Sequence, residues 1–144
     1  MTAVDDLDEV VEQCHLALGK FMKGNPEPEK QIFSHQEDVT LTNPFGPPVR
    51  GWKQVDETLD RAASHLSDGE ITGFENVAKY VTPELAYVVW VERAKAKVGG
   101  REDVAPIDLR VTTIFRPEEG TWKIVHRHAD PITTARPAES VLQK

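Results

Sequence analysis

The sequence of 144 residues is short of four features, and each shortage excludes a class of protein. Cys14 is the only cysteine, so no intramolecular disulfide can form and a disulfide-stapled domain is excluded. No apolar run approaches the ~18 residues that a membrane-spanning helix needs. Basic residues number 17 against 24 acidic ones, and the net charge of −7 disfavours binding to nucleic-acid phosphates. No glycine-rich phosphate loop is present, because Gly99-Gly100 fits a hairpin turn.

What remains is the composition of one folded domain. A chain of this length buries roughly 68–70% of its unfolded surface, which is enough for a core without metals or disulfides. The first residues, MTAVDDLDEVVEQ, are acidic where a secretory signal would be basic and then apolar. We therefore expect a soluble, cytoplasmic protein that binds neither nucleic acid nor a membrane.

The spacing of apolar residues predicts three helices in the first half of the chain and strands mainly in the second. Thr2 is suited to cap the first helix. In chain order we expect a helix over 4–22, a short helix from Pro26 to about His35, a strand within 37–51, a helix from Trp52 to about Leu66, and strands over 70–81, 85–98, 105–116 and 121–130. Helices on one side of a curved antiparallel sheet form an α+β domain with a cavity between the layers. The domain would occupy 1–132, with a loose tail over 133–144.

Polar side chains interrupt otherwise apolar faces on the last three predicted strands. Alternate residues of a strand share a face, so on the first of these strands Glu92 lies on the same face as Val88 and Trp90. On the other two strands the polar residues are Arg110 with Thr112, and His126 with His128 after Trp122 and Ile124. If these faces meet, the polar groups line a mostly apolar cavity, and Asn43 and His15 complete its wall.

The side chains suggest roles if the protein is an enzyme. His126 or His128 would be the acid–base group, because imidazole titrates near neutral pH. Glu92 would orient the imidazole, and Arg110 would hold a ligand anion or pair with Glu92. The predicted ligand-binding residues are His15, Asn43, Phe45, Trp52, Trp90, Arg110 and Thr112.

Structural alternatives stay open for the same residues. Glu92 and Arg110 could form a cross-strand pair on the outer face, and the two histidines could simply bond to backbone groups. Asp130 continues the spacing of His126 and His128, which can chelate a metal, but no further ligand is evident. We assign no metal and no cofactor.

One set of strand residues predicts self-association. Its members are apolar residues of the second and third of the four long strands, namely Tyr87, Val89, Val91, Leu109, Val111 and Phe115. A face of this kind is too apolar to remain in water. We expect a homodimer that buries it.

Two stretches, EDVTLTNPFGPPVRGWKQV and TWKIVHRHAD, together with the order of elements, resemble the nuclear transport factor 2-like superfamily. The similarity is greatest to its SnoaL-like, polyketide-cyclase-like branch and covers residues 4 to about 132. The resemblance implies a cone of curved sheet around three helices, a cavity at the open end, and a dimer. WKIVHRHAD also resembles the closing strand of the association domain of calcium/calmodulin-dependent kinase II, which is not catalytic.

The resemblance does not extend to the machinery of ketosteroid isomerases. EDVTLTNP is similar to the stretch in which those enzymes carry a general base just before proline, but Asn43 occupies that place here. An amide cannot accept a proton at working pH. Two functions therefore stay open. The protein binds a small apolar or aromatic carbonyl compound and acts on it by isomerase, cyclase, dehydratase or hydrolase chemistry, or it is a non-catalytic binding or oligomerisation module.

Overall fold

The computed structural model describes residues 3–143, with side-chain environments from residue 7 onward. The capping role predicted for Thr2 lies outside the described residues. In chain order the elements are α1 (Ala3–Phe21), α2 (Glu27–Ile32), β1 (Thr40–Thr42), β2 (Val49–Arg50), α3 (Trp52–Ser64), β3 (Leu66–Val81), β4 (Ala86–Val98), β5 (Ala105–Glu118) and β6 (Thr121–Asp130), followed by a 3-10 turn, Ala138–Val141. Within the described chain no helix is long and apolar enough to cross a membrane.

The strands form one curved, unclosed sheet in the order β2-β1-β6-β5-β4-β3, with the three helices packed on its concave side. The predicted α+β cone is confirmed. The predicted strand within 37–51 is in fact the β1–β2 hairpin, whose loop is 43–48. The sheet is not wholly antiparallel, because β1 pairs with β6 in the parallel sense. The sheet ends at Asp130, and residues 134–143 are exposed; the domain limit at 132 stays a prediction.

The junction between α3 and the sheet differs from the prediction. The SDG stretch at 67–69 does not follow α3 as a loop, because β3 already begins at Leu66. One register shift lies within this stretch, between Ser67 and Glu70, and a second follows between Ile71 and Gly73, so the strand bends here. Gly69 allows this bend to lie against the end of α1, since its N–H donates to the Met22 carbonyl at 3.1 Å. A Cβ at this position would lie 2.4 Å from the same oxygen.

The register of β4 and β5 corrects the predicted dimer face. Residues directly opposite each other share a face, and the register pairs Trp90 with Val111 and Val89 with Thr112. Leu109, Val111 and Phe115 are therefore buried beneath the helices, on the face opposite to that of Tyr87, Val89 and Val91. The six residues were wrongly predicted to share one face, because the alternation of each strand does not reveal the register between strands.

Candidate functional site

The alternation of β6 is broken at its middle by a bulge. Phe115 of β5 pairs with Ile124, whereas the preceding residue of β5, Ile114, pairs with His126. Val125 therefore has no partner residue in β5. Before the bulge the even-numbered residues of β6 face the core, and after the bulge the odd-numbered residues do. Trp122 and Ile124 are buried, and so are Arg127 and Ala129. The prediction that His126 and His128 share the face of Trp122 and Ile124 is wrong for this reason.

The bulge turns Arg127 inward, onto Glu92 of β4. The Arg127 Nη2 lies 3.2 Å from both Glu92 carboxylate oxygens, and the Trp90 Nε1–H donates to Glu92 Oε1 at 3.2 Å. Both members of the ion pair are buried. Burial opposes the charge of Arg127, but the Glu92 and Glu29 carboxylates outweigh it and raise the Arg127 pKa. The pairing of Glu92 with Arg110, one of the predicted alternatives, does not occur.

A second carboxyl group, that of Glu29 in α2, lies inside the same cluster. Its side chain is 2% exposed, and Oε2 has no hydrogen-bond partner among the described residues. Burial is the main cause that raises the pKa of Glu29, from 4.5 to about 7; the positive charge of Arg127 opposes the rise and the charge of Glu92 adds to it. Glu29 is therefore present both protonated and ionised near neutral pH.

Glu29, Glu92 and Arg127 share one cavity, of about 190 Å³, between the helices and the sheet. Its remaining lining is apolar apart from Asn43, and consists of Leu18, Phe21, Met22, Leu41, Pro44, Phe45, Leu59, Ala62, Leu66, Val98, Ile107, Leu109, Ala129 and Pro131. The cavity is smaller than the ~300 Å³ at which typical ligand pockets begin. An apolar wall with three convergent charged groups suits a ligand of about one ring.

The short helix α2 is fixed on both sides, which determines where Glu29 points. Ile32 and Phe33 are buried, and the Ser34 N–H donates to the Ile124 carbonyl of β6 at 2.8 Å. On the other side the Lys30 ammonium lies 2.7 Å from Asp56 and 2.6 Å from Asp60, both in α3. The helix is thus held against β6 and α3 at once.

The outer face of the sheet carries a second polar group of residues, separate from the cavity. The His126 Nδ1 lies 2.8 Å from the Thr40 hydroxyl, and the His128 Nε2 lies 2.9 Å from Asp130. The Arg110 Nε–H donates to the other Asp130 oxygen at 2.7 Å. Partial burial opposes ionisation of Asp130, but the bonds from Arg110, the Ile132 N–H and His128 outweigh it and lower its pKa.

The structure does not bring the predicted site residues into one place. Asn43, Phe45 and Glu92 line the cavity. Arg110, Thr112 and His128 instead border a recess of about 250 Å³ on the outer face, and His126 lies on that face too. The catalytic role predicted for the two histidines stays a prediction, and it would require a ligand on the outer face.

The other three predicted binding residues pack against aromatic rings outside the cavity wall. His15 stacks on Phe74 with ring centroids 3.7 Å apart and meets Trp90 edge-on at 5.1 Å. Burial lowers the His15 pKa, against the charges of Glu12 and Glu92. Trp52 stacks on His35 at 3.9 Å. Trp90 approaches the site only through its bond to Glu92.

Sequence reasoning missed Glu29 and Arg127. Glu29 stands three residues before Ile32 and four before Phe33, so the helical spacing that buries those two also buries Glu29. That signal was present, but the stretch from Pro26 to about His35 was predicted only as a short helix, without a site residue. Arg127 carried a weaker signal: the apolar Val125 and Ala129 flank it at i±2, whereas histidines occupy the alternate positions.

Groups of three or more His, Cys, Asp or Glu side chains placed to hold a metal ion do not occur among the described residues. The histidine pair of the outer face has Asp130 beside one member only, and His126 is bonded to Thr40. In the cavity, both oxygens of Glu92 are engaged by Arg127.

A family model identifies the protein family to which the chain belongs. The model of the SnoaL-like domain matches residues 20–133, which is most of the chain. The chain therefore belongs to the SnoaL-like domain family. No curated protein sequence matches it significantly.

Solved structures of low sequence identity share the fold. A nuclear transport factor 2-like superfamily protein from Salmonella enterica is 18% identical, with 94% of each chain covered and a TM-score of 0.75. A candidate dehydratase of the same superfamily from Streptomyces avermitilis is 19% identical, with 92% of this chain and 100% of that one covered and a TM-score of 0.73. A candidate calcium/calmodulin-dependent kinase II association domain from Thiobacillus denitrificans is 15% identical, with 86% and 93% covered and a TM-score of 0.68. At such identities these structures show the fold alone.

Proposed function

We propose that the cavity binds a small apolar or aromatic carbonyl compound and that Glu29 exchanges a proton with it. The observation that carries this proposal is the buried Glu29 Oε2, which has no hydrogen-bond partner among the described residues and lies in a mostly apolar cavity. A buried polar atom without a partner costs about 1–3 kcal/mol, and a ligand group that bonds to it recovers that cost. No cofactor takes part in this proposal.

The two protonation states of Glu29 suit two halves of one reaction. The protonated carboxyl donates a hydrogen bond to a ligand carbonyl. The ionised carboxylate takes a proton from the carbon next to the carbonyl, leaving an enolate; the Glu29 carboxyl then exchanges this proton with solvent and returns one to the enolate carbon. The net charge of the cavity is unchanged by this transfer, because the negative charge moves from Glu29 to the ligand. Arg127, the one cation among the described lining residues, therefore keeps the same number of negative charges around it while the charge moves from Glu29 to the enolate.

The test is a panel of small aromatic ketones in deuterated buffer. Binding is followed by the fluorescence of Trp90, whose Nε1 is bonded to Glu92, and exchange at the carbon next to the carbonyl is followed by proton NMR. We expect binding, and exchange that Glu29→Gln abolishes. The matched control is Glu27→Gln, which changes an exposed carboxylate of the same helix. Binding without exchange would indicate that the protein binds the compound without acting on it. Absence of both binding and exchange would contradict the proposal.

We propose a homodimer as well, formed through the outer face of the sheet. Tyr80 and Tyr87 stack there with ring centroids 5.6 Å apart, although they are 57% and 38% exposed. Val89 and Val91 continue this face along β4. The fold similarity to a candidate kinase association domain supports assembly as a second function. Sedimentation of the natural protein at tens of micromolar tests it: a dimer is expected, and Tyr87→Glu should shift it to monomer.

A further inference from the structure

The three charged residues of the cavity make its charge depend on one proton. Arg127 is paired with Glu92 through both carboxylate oxygens, so these two charges compensate each other. Glu29 then decides the balance: the described cavity wall is neutral when Glu29 is protonated and carries one negative charge when it is ionised. Bringing a further negative charge into this apolar space is costly, because a buried charge without a partner loses its hydration.

On this basis we infer that the cavity selects uncharged ligands with a hydrogen-bond acceptor over carboxylates of the same shape, and that a proton is taken up at Glu29 on binding. The inference rests on the proposed function and specifies its ligand class. A ligand carbonyl at the free Glu29 oxygen accepts a hydrogen bond from the protonated carboxyl group, which favours the protonated form. A ligand carboxylate finds Arg127 already occupied by Glu92.

Groups on the neighbouring elements do not replace Glu29 in this role. The Cys14 thiol of α1 is close enough for the Glu29 charge to act on it, but burial and that charge raise its pKa, so it stays neutral. Lys30, next in α2, is engaged by Asp56 and Asp60 of α3. The pKa of Glu29, about 7, places proton uptake in the neutral range.

The experiment compares three probes of nearly equal size: acetophenone, benzoate and ethylbenzene. Affinities are measured at pH 6 and pH 8 by ligand-observed NMR, and proton uptake is measured by calorimetry in two buffers of different ionisation enthalpy. We expect acetophenone to bind about tenfold more weakly at pH 8 than at pH 6, since a group with a pKa near 7 changes its protonated fraction by about that factor. Ethylbenzene, without an acceptor, should show no such preference, and benzoate should bind at least tenfold more weakly than acetophenone at pH 8.

The variant Glu29→Gln separates the proton from the hydrogen bond. Its amide still donates to a carbonyl, so acetophenone should bind with an affinity that no longer changes with pH. Proton uptake measured on the natural protein keeps the test decisive even if the variant folds poorly. Benzoate binding as tightly as acetophenone at pH 8, or acetophenone binding without proton uptake, would overturn the inference and leave the proposed function standing. Absence of binding by all three probes would overturn both.

Discussion

Arg127 Nη2 lies 3.2 Å from both carboxylate oxygens of Glu92, although simple alternation along β6 would place Arg127 on the opposite face of the sheet. The bulge at Val125 makes this pairing possible. The cavity thereby holds one cation and two carboxylates: Glu92 contacts Arg127, and the charges of both Glu92 and Glu29 act on it. Replacing the cation should therefore destabilise the protein by a different amount than replacing one of the carboxylates.

We expect Arg127→Met to destabilise the protein more than Glu92→Gln. Without the guanidinium, Glu92 becomes a buried and unpaired carboxylate, a situation that costs about 3–5 kcal/mol. Without the Glu92 charge, the charge of Glu29 still acts on Arg127, so the cost is smaller. Urea unfolding at pH 7 measures both free energies.

Arg110→Met serves as the control for this comparison. Arg110 pairs with Asp130 on the outer face and is exposed, so its loss should destabilise the protein much less than the loss of Arg127. Equal costs for Arg127→Met and Glu92→Gln would show that Glu29 does not act on Arg127.

The overall fold was accessible from the sequence because its signals are local and repeated. Helical spacing is sustained from Leu7 to Phe21 of α1, and four long alternating stretches end in turn residues such as Gly99 and Gly120. Both glycines do have positive φ angles, 63° and 84°. What could not be predicted was register: neither the parallel pairing of β1 with β6 nor the faces shared by β4 and β5 leave a signal within one strand.

We expect the stability difference between Glu29→Gln and the natural protein to change with pH. The pKa of Glu29 is raised from 4.5 to about 7 by folding, so its stabilisation is complete below pH 4.5 and is lost as pH rises through 7. The natural protein should therefore lose about 3 kcal/mol relative to the variant between pH 4.5 and pH 8, at 1.36 kcal/mol per pH unit. Urea unfolding at the two pH values measures this, and Glu27→Gln should show no such trend. A difference that is independent of pH would contradict the burial of a titrating Glu29.

His126 should titrate below 6.5, because partial burial and the nearby charge of His128 both lower its pKa. Replacing His128 by Gln removes one of these causes and should raise the His126 midpoint. Glu92→Gln should leave the midpoint unchanged, since Glu92 lies on the inner face. A histidine-resolved NMR titration of the three proteins measures these effects. A response of His126 to the Glu92 charge would mean that the two share one site after all.

Gly69→Ala should destabilise the protein, whereas Gly73→Ala should not. A Cβ at Gly69 would lie 2.4 Å from the Met22 carbonyl oxygen and 2.7 Å from Ala96 Cβ, and neither backbone nor Cβ can move aside easily. The crowding should cost about 1–3 kcal/mol or more. Gly73, in the same strand, has open space around its Cβ position, and alanine there should change stability by at most about 1 kcal/mol. Thermal unfolding of both variants measures the contrast, and equal effects would place β3 differently against α1.

The candidate site was less predictable than the fold for a definite reason. A bulge adds one residue to a strand, and the sequence of β6 carries no glycine or proline to mark it at Val125. One extra residue reverses every later face, so the imidazoles were expected inside and the guanidinium outside. Glu92 was placed correctly, on the inner face of β4, because that strand alternates without interruption from Ala86 to Ala96. Glu29 was missed because a charged residue in a short helix usually faces water.

The most direct test of the account is the titration of the Glu29 carboxyl group itself. Carbon-13 NMR of the side-chain carboxyls, with the Glu29 signal assigned by its loss in Glu29→Gln, gives the midpoint in the natural protein. We expect a midpoint of about 7, because Glu29 is buried near the Glu92 carboxylate and its Oε2 has no hydrogen-bond partner among the described residues. A midpoint near 4.5 would mean that the carboxylate is solvated or firmly paired, and neither the proton exchange nor the ligand selection proposed for the cavity would then stand.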